Sequence, residues 1–131
     1  MTQALAPVGV AHYYRRLAEL STLPFWQLPD FGEPSGPERG HVWHWQDIYP
    51  ELARSRHVTA DAASLQRRAL IFSNPGITTP EAGTTPTIAA AYQMLFPGES
   101  APVHAHSMSA LRFGLAGEGA RISHKCPFAG R

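Results

Sequence analysis

The sequence has little of several things that usually announce a function. Its 131 residues include one cysteine, Cys126, so no internal disulfide can form, and a lone thiol fits a reducing compartment. Charge is scarce as well: 16% of the residues are charged and the formal net charge is +1. With no run of basic residues, a grip on nucleic acid by bulk electrostatics is excluded. No apolar stretch is long enough to span a bilayer. The first seven residues lack the basic patch and apolar core of a secretory leader. The expectation is a soluble cytoplasmic protein with neither a nucleic-acid nor a membrane partner.

What is present suits one globular unit. The apolar share, 44%, is ordinary, and the length is enough to bury a core. Residues 12–20 read as a short amphipathic helix with Tyr13, Leu17 and Leu20 on one face. The stretch 29–40 is punctuated by proline and glycine and reads as loop. Residues 46–56 read as a helical turn or two interrupted by Pro50, and Asp61 as the cap of a short helix through position 66. From Arg68 the pattern turns to β. Ala69, Leu70, Ile71 and Phe72 form a short apolar strand stopped by Asn74-Pro75-Gly76. Further strands are expected within 87–96, at 103–106 and at 110–116. The expected fold is mainly β, the first part of a small barrel behind an N-terminal helical and loop segment.

The chemistry concentrates at His104-Ala105-His106, behind the turn Pro97-Gly98. On an extended backbone, side chains at i and i+2 point the same way, so both imidazoles can meet one ion. Arg112 shares their parity and is a candidate partner for a carboxylate. Its plain reading is an arginine on a solvent face or in a structural ion pair. Trp43, His44 and Trp45 offer a binding face by residue type but read rather as an aromatic strand packed on the barrel, and His41 and His44 read as structural or solvated. A zinc-stabilised domain using His104, His106, His124 and Cys126 is a separate possibility by residue type.

Gly98, His104, His106, position 110 and Gly117 together resemble the first conserved motif of the cupin superfamily. Most cupins place a glutamate ligand at position 110; here it is Ala110. That departure resembles the gentisate 1,2-dioxygenase group, with its salicylate and 1-hydroxy-2-naphthoate relatives. Ser109-Ala110-Leu111-Arg112-Phe113 and Gly117-Glu118-Gly119-Ala120 are similar to that group. So are Tyr14-Arg15-Arg16-Leu17, Pro24-Phe25-Trp26, Val42-Trp43-His44-Trp45, Ile48-Tyr49-Pro50, Arg68-Ala69-Leu70 and Asn74-Pro75-Gly76.

The resemblance implies a double-stranded β-helix (jelly-roll) barrel and a mononuclear Fe(II) site with three histidines and no carboxylate. His104 and His106 would be two of the ligands. It also implies an aromatic carboxylate substrate, cleaved with dioxygen. Ala110 would leave a position open for that substrate. The third histidine of the family lies in a later motif, so the chain reads as truncated after the first one. The implied layout is a helix and loop segment at 1–67, an incomplete cupin barrel at 68–120 and an atypical tail at 121–131. Such a piece is expected to be inactive alone and to self-associate through an open sheet edge. The alternative is a non-catalytic small cupin that binds a ligand or partner.

Overall fold

The structure, a computed structural model, describes residues 9–28, 36–59, 68–77, 83–102 and 109–118. The chain enters through helix α1, Val10–Glu19, which buries Tyr13 and Leu17 on the face the apolar spacing marks out. The turn after it is tight, with Ser21 at φ 51°, a backbone region usually left to glycine. Its carbonyl shows what holds it there: it accepts from the Trp43 indole N–H (2.8 Å) and the Ser73 amide (2.9 Å).

Strand β1, Thr22–Pro24, follows, then a 3-10 turn at Phe25–Gln27. Helix α2, Trp45–Arg54, is longer than the turn or two expected, with Pro50 inside it. A proline there removes one helical hydrogen bond at a cost of about 3 kcal/mol. The helix persists because Ile48 and Leu52 are buried against α1 and the sheet in one core with Tyr13, Leu17 and Leu70. The Tyr13 hydroxyl also donates to the Glu51 carbonyl at 3.0 Å and joins the two helices. Burial, then the nearby Glu51 and Tyr14, push that hydroxyl well above the usual tyrosine range, so it stays a donor.

Strands β2, Ala69–Phe72, and β3, Ala91–Gln93, complete an antiparallel sheet of order β1-β2-β3. Leu70 lies opposite Pro24 on one side and Tyr92 on the other. Pro24 is tolerated because β1 is an edge among the described strands. Beyond β2, Asn74 stitches the sheet to the loop before α2. Its side-chain amide accepts from the Arg39 N–H and donates to the Arg39 carbonyl, both at 3.0 Å. Gly76 lets the two segments approach: a Cβ there would stand 2.1 Å from the Pro37 carbonyl oxygen.

An antiparallel sheet and N-terminal helices are present, but among the described residues helix outweighs strand rather than the mainly β content expected, the sheet is open, and no barrel is seen. The strand expected within 87–96 shrinks to three residues. At 110–116 no strand forms. The alternation of Leu111, Phe113 and Leu115 sets which side a strand would present. A strand also needs a hydrogen-bonding neighbour, and none pairs with this run among the described residues. The helix at 61–66, the strand at 103–106 and the tail at 121–131 lie outside the described residues. No described helix is long and apolar enough to cross a membrane.

Candidate functional site

The turn that leads towards the two histidines is fastened to the core by one buried arginine. Arg68, at the head of β2, is 2% exposed. Its Nε donates to Thr59 Oγ1 and its Nη2 to the Thr59 carbonyl, both at 2.8 Å. Its Nη1 donates to the Glu99 carboxylate. Thr59 is held in turn, its hydroxyl donating to the Ser55 carbonyl at the end of α2 (2.7 Å). The guanidinium also lies 5.2 Å from the centre of the Phe96 ring, and that of Arg56 lies 4.7 Å from the same ring.

Glu99 closes the turn from the other side. Its carboxylate accepts the Phe96 amide at 2.9 Å, while its own amide donates to the Phe96 carbonyl at 3.0 Å. Gly98, at φ 84°, supplies the left-handed residue that so short a loop requires. Burial alone would raise the Glu99 carboxyl. The Phe96 N–H, the Arg68 hydrogen bond and charge, and the Arg56 charge outweigh it and hold the group below its ordinary value. Glu99 precedes His104 by five residues. A continuous path of contacts therefore runs from α2 through Thr59 and Arg68 to the turn before the histidine pair.

His104 and His106 lie outside the described residues, as do His124 and Cys126. Ala110 and Arg112 are described, and both are exposed. Among the described residues no group of three His, Cys, Asp or Glu side chains converges on a common point. The donor types at 104 and 106, two neutral imidazoles, fit a divalent ion such as Fe(II); they are two donors of the several it takes.

In the aromatic run at 43–45, Trp43 is half-buried, while His44 and Trp45 are exposed. Trp43 stacks on Phe72, with centroids 5.1 Å apart, and His41 meets its edge at 4.7 Å. Trp45 meets Tyr92 edge-on at 4.8 Å. These residues belong to a loop and the first turn of α2, not to the expected aromatic strand. Glu19, His41, Trp43, His44 and Asp47 line a hollow of about 160 Å³. That is smaller than the roughly 300 Å³ at which ligand sites begin.

Arg68 and Glu99 are the residues that local reading missed as a pair. They stand 31 positions apart, and no local pattern links them. The available signal was a charged residue directly before a fully apolar strand, where it must be buried with a partner.

Known proteins similar to the chain share one chemistry in their names. A gentisate 1,2-dioxygenase of Streptomyces sp. is 36% identical over 110 residues, 81% of this chain and 30% of that protein. A 5-aminosalicylate 1,2-dioxygenase of Comamonas sp. is 31% identical over 109 residues, 81% of this chain and 29% of that protein. A 1-hydroxy-2-naphthoate 1,2-dioxygenase of Nocardioides sp. is 37% identical over 71 residues, 54% of this chain and 18% of that protein. The chain thus spans less than a third of the length of these relatives. No family model and no solved structure matches it.

Proposed function

The chain is homologous to one part of the gentisate-type 1,2-dioxygenases, and on that premise we propose that it carries the first metal motif of an aromatic ring-cleaving dioxygenase. His104 and His106 are the two imidazole ligands to Fe(II), which when bound supplies a centre where an aromatic acid and dioxygen can meet. Ala110, small where most cupins carry a glutamate, leaves room for the acid. Arg112 pairs with its carboxylate through two parallel N–H bonds. The substrate class is an aromatic carboxylate bearing a neighbouring hydroxyl, the feature common to the compounds in the relatives' names. Residues 68–120 form part of a cupin barrel behind the 1–67 segment, with 121–131 as a separate tail.

The observation that carries this reading is the similarity to dioxygenases named for three different aromatic acids. It supports the reaction class and leaves the individual acid open. His104 and His106 are two imidazole ligands where the resemblance implies three, so these 131 residues tested by themselves are expected not to turn over. Oxygen uptake with gentisate or salicylate tests this directly. The expected result is no uptake above the rate of free Fe(II). Uptake matched by ring-opened product, and lost in His104→Ala, would contradict it.

A second reading, a non-catalytic small cupin that binds a ligand or partner, is favoured by the exposure of Ala110 and Arg112. Binding of an aromatic acid without added iron, abolished in Arg112→Ala, would select it over the first.

A further inference from the structure

We propose that Arg68 and Glu99 form a latch that positions the segment leading into His104 against the N-terminal core. The inference rests on the reading of His104 and His106 as metal ligands. Its geometry is independent of that reading.

The observations converge on one turn. Arg68 has its three guanidinium nitrogens engaged, two on Thr59 and one on Glu99. It is therefore fixed from the α2 side before it reaches the carboxylate. Glu99 accepts both Arg68 and the Phe96 amide on one carboxylate oxygen, Oε2. Phe96 lies under two cations, Arg68 and Arg56. The Met94 amide, at 3.4 Å from the Arg68 carbonyl, ties the same stretch to the same residue. Arg68 therefore holds 94–99 at three points, Met94, Phe96 and Glu99, while the residues at 109–118 are all exposed.

A ligand pair works only if its approach is fixed, because an ion selects among donor arrangements by position. The latch fixes the turn at 94–99, which ends five residues before the first proposed ligand, and it is built from residues that are not themselves ligands. A plain structural role would make Arg68 a support for the core as a whole. The two roles differ in what fails when the carboxylate is removed. Loss of a latch frees 94–99 and leaves the sheet; loss of a core support frees both.

The test uses the full chain and four variants: Glu99→Gln, Glu99→Asp, His104→Ala, and Glu118→Gln as a control on an exposed carboxylate. Hydrogen exchange reads the amides of Met94, Phe96 and Glu99 beside those of β2. Anaerobic Fe(II) titration reads metal affinity. In Glu99→Gln we expect faster exchange at 94–99, unchanged exchange at 69–72, and iron affinity lower by about tenfold, the lower end for residues that orient metal ligands. Glu99→Asp, which keeps the charge with a shorter reach, should recover part of both effects. Unchanged exchange at 94–99 overturns the latch. Equal loss of protection in β2 overturns it in favour of core support, and wild-type iron affinity despite faster exchange overturns the positioning role. His104→Ala separates the two readings: if it binds iron as the wild type does, the ligand assignment fails, and the exchange data alone decide whether the latch exists.

Discussion

Two regions of this chain use the same kind of residue in opposite ways. In the N-terminal part, Tyr13, Leu17, Ile48, Leu52 and Leu70 come from three elements far apart in sequence and bury one another almost completely. In 109–118, Leu111, Phe113 and Leu115 are equally apolar and alternate as cleanly as any strand, yet are 82%, 77% and 61% exposed. The difference is not in side-chain chemistry. The first set closes on itself through two helices and three short strands; the second has no described element to close against. Apolar pattern supplies the tendency to be buried, and a partner surface supplies the burial.

The comparison makes its strongest prediction by truncation. Leu70→Ala, in the central strand and fully buried, should cost about 3–4 kcal/mol in urea unfolding, whereas Leu111→Ala should change stability by less than about 0.5 kcal/mol. Similar losses for the two would abolish the distinction between the regions. A smaller effect is expected at the hydroxyl that joins the helices. Tyr13→Phe removes the donor to the Glu51 carbonyl and leaves that acceptor without it, for a loss of about 1–2 kcal/mol in the same assay.

The exposed region is expected to find cover between copies. Phe113→Asp should shift sedimentation towards the monomer without altering the unfolding midpoint. A wild-type chain that stays monomeric at high concentration would show that the 109–118 face is not self-adhesive.

Acid should act at the junction of the two regions. The folded Glu99 carboxyl lies below its ordinary value near 4.5. Its contribution to stability is therefore present above that pH and is lost as pH falls through the folded value. The acid limb of the stability curve should be shallower in Glu99→Gln than in the wild type, and identical limbs would remove the linkage. A modest gain is expected at the turn after α1, where Ser21→Gly should raise stability by up to about 1 kcal/mol by relieving its left-handed backbone.

Much of the first region was legible in the sequence because its signals are local. Tyr13 and Leu17 mark one face of α1 by spacing alone, and Ala69 to Phe72 mark β2 by composition. Where reading fell short, a non-local term decided the outcome. Pro50 argues for a broken helix, and the core contacts of Ile48 and Leu52 override it. Pro24 argues against a strand, and an edge position accommodates it. The run at 110–116 carries the strand pattern without a pairing neighbour among the described residues. Of the candidate site, the sequence shows the residue types at 104, 106, 110 and 112. The tie between Arg68 and Glu99 spans 31 positions, and only the folded chain brings the two together.

The central proposal is that His104 and His106, the first of them five residues beyond Glu99 in a fastened turn, act as a pair on one metal ion. Anaerobic Fe(II) titration of the wild type, His104→Ala and His106→Ala tests it most directly. The account predicts measurable binding by the wild type and a comparable, large loss in each variant, since one remaining imidazole cannot hold the ion. Equal affinity in all three chains would contradict it.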